Sequence, residues 1–218
     1  MKIGTDGCLL GAWADVANAK TILDIGTGSG VIALMLAQRS NTSIDAVEID
    51  TDAFHQACNN FSNSPWNSRV KAHHTSIQEY VKSCKKKYDL IVSCPPYFLD
   101  SMKAPEKKRR LARHTDSLSF EELLSGSKRI LHPAGKFCTI IPTETIRIFS
   151  EAALIEGYFT TKITQTKPRV GSEPIRTLLQ MELSRKTCIT DSISILETTG
   201  KNYTSEYKEL TKEFYINF

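Results

Sequence analysis

The fold is indicated most clearly by one segment, Thr21-Ile-Leu-Asp-Ile-Gly-Thr-Gly-Ser-Gly30. It begins as a short β-rich apolar run and ends in three alternating glycines, after which an apolar helical pattern starts. A strand that passes through a glycine turn into a helix is typical of a parallel α/β sheet, at the place where a ligand can approach the backbone. We therefore predict a nucleotide-like ligand at this turn.

The same segment indicates the charge of that ligand. Its spacing is G-x-G-x-G rather than the G-x-G-x-x-G of pyrophosphate-binding turns, and Asp24 precedes the glycines. A carboxylate at this position repels phosphate and suits a cationic ligand. The second predicted strand ends in Val47-Glu48-Ile49-Asp50, where an acid can accept hydrogen bonds from ribose hydroxyls.

Strand and helix patterns alternate from Thr21 onward, which predicts an α/β fold. We expect a doubly wound, seven-stranded, mostly parallel sheet in a three-layer α/β/α arrangement, with residues 1–218 forming a single domain. The predicted strands are 21–25, 43–49, 69–73, 88–93, 136–142, 158–164 and 177–184. The predicted helices are 9–16, 30–39, 51–62, 76–84, 119–131 and 143–156, two of them opened by capping boxes at Ser76 and Ser119.

The glycine turn and the acid after the second strand resemble the S-adenosylmethionine site of class I methyltransferases. That ligand is a sulfonium with an amino acid tail, which agrees with the acidic turn. The resemblance implies S-adenosylmethionine as cofactor and a transferase activity. It assigns cofactor contacts to Asp24, Gly26, Gly28, Gly30, Glu48 and Ile49.

The fourth predicted strand runs directly into Cys94-Pro95-Pro96-Tyr97. This segment resembles the (Asn/Asp/Ser)-Pro-Pro-(Tyr/Phe) motif of methyltransferases that act on planar amines, with Cys94 at the polar position. In that family the first side chain and the backbone carbonyl of the next residue, here Pro95, accept the two amine N–H groups, and the aromatic residue stacks on the base. A thiol is a weak acceptor, so Cys94 supplies this contact poorly.

Over nearly its whole length the chain is similar to bacterial tRNA1(Val) adenine-37 N6-methyltransferases, through Gly4-Thr-Asp-Gly7, Leu10-Gly-Ala-Trp13 and the segment from Tyr203 to Tyr215. The resemblance implies methylation of an adenosine in the tRNA anticodon loop. It makes 1–18 a cofactor-covering segment in which Thr5 and Asp6 lie over the cofactor tail, although both could instead cap a helix. Further predicted cofactor contacts are Ser76, Ile77 and Ser93, of which Ser76 could simply cap its helix.

Residues 82–114 carry ten lysines and arginines against three acidic residues, a net charge of +7 in a chain whose total is +4. Within this stretch, 99–117 reads as a basic substrate loop, and a second basic loop is predicted at 167–174. A tRNA partner explains such charge, although a solvated lysine surface is the alternative. The predicted substrate contacts are Phe98, Lys107, Lys108, Arg109, Arg110 and Arg113.

Two other functions remain open at this point. A primary amide has the same planar NH₂ as adenine, so a protein glutamine-amide methyltransferase is the first. A catalytically weak RNA-binding homologue, suggested by Cys94, is the second. The basic stretch favours RNA, whose unpaired loop bases can be splayed out and stacked on aromatic side chains.

Several classes of protein are excluded or disfavoured. No apolar run approaches the ~20 residues of a membrane span, and no secretory signal is evident, so we expect a cytoplasmic protein and, by default, a monomer. The six cysteines contain no CxxC pair, and His73-His74 lacks a spaced third ligand, so we expect no metal site. A hydrolase elbow, Gly-x-Ser-x-Gly, is missing from the sequence.

Overall fold

A computed structural model describes residues 4–95 and 118–216. Its centre is a sheet in the order β3-β2-β1-β4-β5-β7-β6-β8. The strands are β1 (Thr21–Ile25), β2 (Ser43–Glu48), β3 (Val70–His74), β4 (Tyr88–Ser93), β5 (Leu131–Pro142), β6 (Phe159–Arg169), β7 (Arg176–Glu182) and β8 (Ile189–Leu196). The helices are α1 (Thr5–Trp13), α2 (Val31–Arg39), α3 (Thr51–Ser62), α4 (Ile77–Ser83), α5 (Phe120–Ile130), α6 (Ile146–Ile155) and α7 (Ser205–Thr211).

Strand directions bring one set of strand ends together. Strands β1 to β5 are parallel, β7 runs antiparallel to both β5 and β6, and β8 is parallel to β6. The carboxyl ends of β1 and β4 therefore lie side by side, at the same edge of the sheet where β7 begins. Ligands of doubly wound sheets bind at the carboxyl ends of the strands, at the point where the strand order reverses, which here lies between β1 and β4.

The mostly parallel α/β sheet confirms the predicted fold class, but residues 4–95 and 118–216 form eight strands where seven were predicted. The additional strand, β8, lies at the sheet edge, and its first four residues are exposed. An edge strand in which polar residues alternate with apolar ones contributes few residues to the core. Its sequence is therefore similar to that of a loop. Its centre nevertheless reaches the core, because Ile193 is buried.

The first helix also differs from its prediction, since it spans Thr5–Trp13 rather than 9–16. Ala14 leaves the helical conformation, with φ of −59° and ψ of 129°, and the Asp15 carboxylate then accepts from the Ala17 N–H at 2.9 Å, so the chain turns away. The start was missed because Gly7 is a poor helix former. It is accommodated where α1 packs closely on α2.

Two apolar clusters cover the two faces of the sheet. Ile22 packs with residues of α1, α2 and α3, whereas its neighbour Leu23 packs with residues of α4, α5 and α6. This alternation is the period-two pattern of a strand that is buried on both faces. On the first face, Tyr207 of α7 lies fully buried in the cluster that holds Leu9 and Leu10 of α1, so α7 and α1 share one core.

The two predicted capping boxes have different outcomes. Ser119 and Glu122 form the complete reciprocal box at the start of α5. Ser76 caps α4 through the Glu79 N–H, but the Glu79 carboxylate pairs with Lys82 at 2.6 Å, so the second half of that box is absent.

Within the described residues, no helix is long and apolar enough to cross a membrane.

Candidate active site

The three glycines after β1 have left-handed backbone conformations, with φ of 71° at Gly26, 57° at Gly28 and 84° at Gly30. Such values are strained for other residues. A Cβ on Gly30 would lie 2.4 Å from the Phe61 ring, so this glycine also permits close helix packing. A Cβ on Gly26 would meet nothing within 4 Å, so the outer side of the turn is open. The Gly26 N–H donates to the Val47 carbonyl at 2.9 Å, which fastens the turn to β2.

Asp24 is fully buried in β1, immediately before this turn. Its Oδ2 accepts from the Thr27 hydroxyl at 2.6 Å, whereas its Oδ1 has no hydrogen-bond partner among the described residues. Burial raises the pKa of Asp24 to about 7, against the lowering effects of the Thr27 hydroxyl and the Ala33 backbone N–H. A buried carboxylate oxygen without a partner is uncommon and marks a place where a ligand can be bound.

Glu48 ends β2 and points at the same turn. Its Oε2 accepts from the Gly28 N–H at 2.7 Å, and its Oε1 accepts from the N–H groups of Ile49 and Asp50, both at 2.9 Å. A carboxylate has about four lone-pair positions, so the three N–H donors leave one for an outside hydroxyl. The acid that the sequence assigns to a ribose therefore also holds the glycine turn in place.

The other predicted cofactor contacts occupy different surroundings. Ser93 is buried and donates to the Ile25 carbonyl at 3.0 Å, which joins the ends of β4 and β1. Ile49 is 56 % exposed beyond β2, whereas Ile77 is buried in the core and Ser76 is the cap of α4. The turn after β2 thus exposes the Ile49 side chain, whereas the Ile77 side chain faces the core.

Thr5 and Asp6 form the first turn of α1, and Gly4 rather than either of them is the N-cap. The Asp6 carboxylate accepts from Arg176 Nε at 2.9 Å. Arg176 was not predicted as a site residue. Sequence offers no signal for this contact, because only the antiparallel course of β7 brings a residue so distant in the chain to α1.

The predicted methyl-acceptor motif follows β4 directly. In the sheet register Ile25 pairs with Ser93, so Gly26 and Cys94 follow at neighbouring strand ends. Cys94 is half-buried against the α1–α2 cluster, and Pro95 is buried. The remaining predicted acceptor and substrate residues lie outside the described residues: Pro96, Tyr97, Phe98, Lys107, Lys108, Arg109, Arg110 and Arg113.

His73 and His74 serve the scaffold. His73 Nε2 lies 2.7 Å from Asp45 Oδ1, and the His74 ring stacks on Phe54 with ring centroids 4.8 Å apart. Within the described residues there is no group of three or more His, Cys, Asp or Glu side chains that could hold a metal ion.

Comparison with known sequences gives consistent matches. The family described as "Methyltransferase small domain" matches residues 7–147. A relative from Phocaeicola vulgatus is 48% identical over 217 residues, covering 100% of this chain and 92% of the relative. One from Trichodesmium erythraeum is 46% identical over 222 residues, again covering 100% and 92%. Both relatives are named tRNA1(Val) (adenine(37)-N6)-methyltransferase.

A solved structure is similar in fold. The crystal structure of a predicted O-methyltransferase from Agrobacterium tumefaciens matches with a TM-score of 0.76 at 18% sequence identity. The match covers 95% of this chain and 96% of that one, so the likeness in fold extends over nearly the whole chain.

Proposed function

Since the chain belongs to the tRNA1(Val) (adenine(37)-N6)-methyltransferase family and carries its methyltransferase small domain, we propose that it transfers a methyl group from S-adenosylmethionine to a tRNA. The acceptor is the N6 amine of adenosine 37 in the anticodon loop of a tRNA1(Val)-like molecule. Such a substrate places the activity in the cytoplasm. One observation carries the proposal. A buried Asp24 oxygen that makes no hydrogen bond among the described residues lies beside an open glycine turn, next to the strand that Cys94 and Pro95 follow.

The residues around the turn fit the cofactor. S-adenosylmethionine, when bound, supplies a methyl group activated by a positively charged sulfur. The buried Asp24 carboxylate suits a cationic ligand, and the open side of Gly26 allows close approach to the backbone. The remaining acceptor position of Glu48 suits a ribose hydroxyl, and the exposed Ile49 offers an apolar wall to an adenine ring.

On the acceptor side, the amine needs help from hydrogen-bond acceptors. Its lone pair is delocalised into the adenine ring, and acceptors for both N–H groups localise it on nitrogen. The Pro95 carbonyl accepts one N–H, the Cys94 sulfur accepts the other weakly, and Tyr97 stacks on the splayed base. Pro95 and Pro96 lack N–H groups, so they bring no competing donor to the amine. Preorganised acceptors of this kind are the main contribution that the protein makes to the rate.

The RNA contact belongs to the basic loop. Lys107, Lys108, Arg109, Arg110 and Arg113 neutralise phosphates of the anticodon stem and loop, while Phe98 packs beside the base. Such contacts release counterions, so tRNA affinity falls steeply with salt. Neutralising Lys108, Arg109 and Arg110 together should flatten the salt dependence of tRNA binding and leave S-adenosylmethionine affinity unchanged.

The direct test is single-turnover methyl transfer to an unmodified tRNA1(Val) transcript, followed by nuclease digestion and mass spectrometry. We expect one methyl group, on adenosine 37, and none on a transcript with guanosine at that position. Methylation of a glutamine-containing peptide instead of the tRNA contradicts the proposal. So does tight tRNA binding without any transfer, which would indicate a binding homologue.

Cys94→Asn tests the acceptor motif within the same assay. An amide oxygen is a stronger acceptor than a thiol, so the single-turnover rate should rise by about ten- to a thousand-fold. S-adenosylmethionine affinity should stay constant. Cys84→Asn is the control, because Cys84 is also half-buried but follows α4, away from the strand ends. Equal rates for parent and Cys94→Asn would show that side chain 94 does not contact the amine.

A further inference from the structure

Helix α1 is joined to the sheet by an ion pair at each of its ends. In its first turn, Asp6 accepts from Arg176 Nε at 2.9 Å. Just after its last residue, Asp15 accepts from Lys136 Nζ at 2.6 Å. Arg176 and Lys136 are equally exposed, with 28% of each side chain accessible. The two basic side chains are therefore matched in exposure, but their partners are not, because 22% of the Asp6 side chain and 50% of the Asp15 side chain are accessible. The two pairs also lie at opposite ends of the helix.

The Asp6 pair lies beside the glycine turn. A Cβ on Gly7 would be 3.5 Å from Val31 Cγ1, so the first turn of α1 packs on the first turn of α2. Val31 directly follows Gly30, the last glycine of the cofactor turn. The Asp15 pair lies beyond the other end of α1, a full helix length away.

The backbone and the side chain of Arg176 are both fixed by contacts within the sheet. It opens β7, in register with Pro142 at the end of β5, and its Nη1 donates to the Ile175 carbonyl at 3.0 Å. The guanidinium therefore has a defined orientation when its Nε binds Asp6. A planar fork held in this way fixes direction as well as distance, which a lysine ammonium does not.

We propose that Arg176 is a positioning residue of the cofactor site. By holding Asp6, it fixes the first turn of α1 over bound S-adenosylmethionine. This inference rests on the proposed function, because it takes residues 1–18 as the segment that covers the cofactor. Arg176 itself acts through Asp6 and does not take part in methyl transfer.

The experiment compares Arg176→Gln with Lys136→Gln in the full chain. Arg176→Gln should weaken S-adenosylmethionine binding by about ten-fold. This is the smallest loss of affinity expected when one hydrogen bond to a charged group is removed. Calorimetry should show this in Kd, and steady-state kinetics should show the same rise in KM for the cofactor while kcat at saturating cofactor stays constant. Lys136→Gln should leave Kd and KM unchanged. Arg176→Lys, which keeps the charge but loses the fork, should fall between Arg176→Gln and the parent.

Two results would overturn the positioning role. One is an unchanged Kd in Arg176→Gln, and the other is an equal loss of affinity in Lys136→Gln, which would make both pairs general stabilising contacts. If Arg176→Gln does not fold, Arg176→Lys decides, and parental affinity in that variant overturns the role. A parent chain that binds no S-adenosylmethionine would instead overturn the proposed function itself.

Discussion

Asp24 and Asp45 are buried carboxylates on neighbouring strands, yet their surroundings are opposite. Asp24 faces the α1–α2 side of the sheet, has one oxygen without a partner in the described structure, and has its pKa raised to about 7 by burial. Asp45 faces the α4 side, where its oxygens contact His73 at 2.7 Å, Tyr88 at 2.8 Å and Lys86 at 2.9 Å. Although burial raises the pKa of Asp45, these hydrogen bonds outweigh it and hold the pKa well below its usual range.

The contrast separates a carboxylate that the protein satisfies from one that it leaves for a ligand. The partners of Asp45 come from β3, β4 and the turn before β4, so this carboxylate ties three segments together. Asp24 has only the Thr27 hydroxyl and the Ala33 backbone N–H to favour its charge among the described residues, and burial outweighs both, so it is destabilising while ionised. Groups with raised pKa values and missing partners concentrate at functional sites, whereas fully satisfied networks stabilise the fold.

The largest expected effect comes from Asp24→Asn. Loss of the buried charge should weaken S-adenosylmethionine binding about a hundred-fold, as expected when one partner of a desolvated charge pair is removed. The same variant should be more stable than the parent at pH 8, by on the order of 1–2 kcal/mol. Because the folded state holds the Asp24 proton up to about pH 7, the stability of the parent falls as pH rises toward that value, and the Asn variant lacks this fall. Calorimetry and urea unfolding measure the two effects, and a stabilised variant with parental affinity would contradict the assignment.

Asp45→Asn should have the opposite effects, with stability lost and cofactor affinity retained. Loss of its charge weakens three hydrogen bonds, so the free energy of unfolding should drop by about 2 kcal/mol, while cofactor affinity stays unchanged. A lowered carboxyl pKa contributes stability above the unfolded value of about 4 and loses it as pH falls. The difference between parent and variant in the free energy of unfolding, measured with urea, should therefore become smaller below about pH 4. A cofactor affinity that drops along with stability would show that the two regions are coupled.

Glu48→Ala should weaken S-adenosylmethionine binding about ten-fold, because it removes a charged acceptor for ribose hydroxyls. The effect is smaller than for Asp24, since the Glu48 carboxylate is already occupied by three N–H donors. Glu182→Ala is the matched control, a buried carboxylate at the end of β7 that accepts from Thr161 at 3.1 Å. Calorimetry with equal affinity for the two variants would remove Glu48 from the cofactor site.

The smallest expected effect is a pH dependence of cofactor affinity. Ionised Asp24 attracts a cationic ligand, and its pKa lies at about 7. Affinity should therefore rise about three-fold between roughly pH 6.5 and 7.5 as the ionised fraction grows. Calorimetric titrations of Asp24→Asn over the same range should be flat. An identical slope in that variant would assign the titration to another group.

Local patterns predicted most of the sheet and the glycine turn after β1. The glycine spacing around Gly26 and the capping box at Ser119 are short-range patterns, and Glu48 is marked by its position at the end of a predicted strand, so the sequence reveals all three. Contacts between distant segments were not predictable, since nothing near Arg176 or Asp45 in the chain indicates what the fold places beside it. Strand β8 escaped prediction for a different reason, because an exposed edge strand does not need an apolar pattern.

The shared core of α1 and α7 has a consequence for biosynthesis. During translation the strands around β1 emerge early, whereas α7, which buries Tyr207 among the α1 side chains, is made after all eight strands. Helix α1 therefore lacks part of its packing on a nascent chain, even when the glycine turn has already formed. Completion of this core therefore waits for the synthesis of α7, one of the last elements of the described chain to be made.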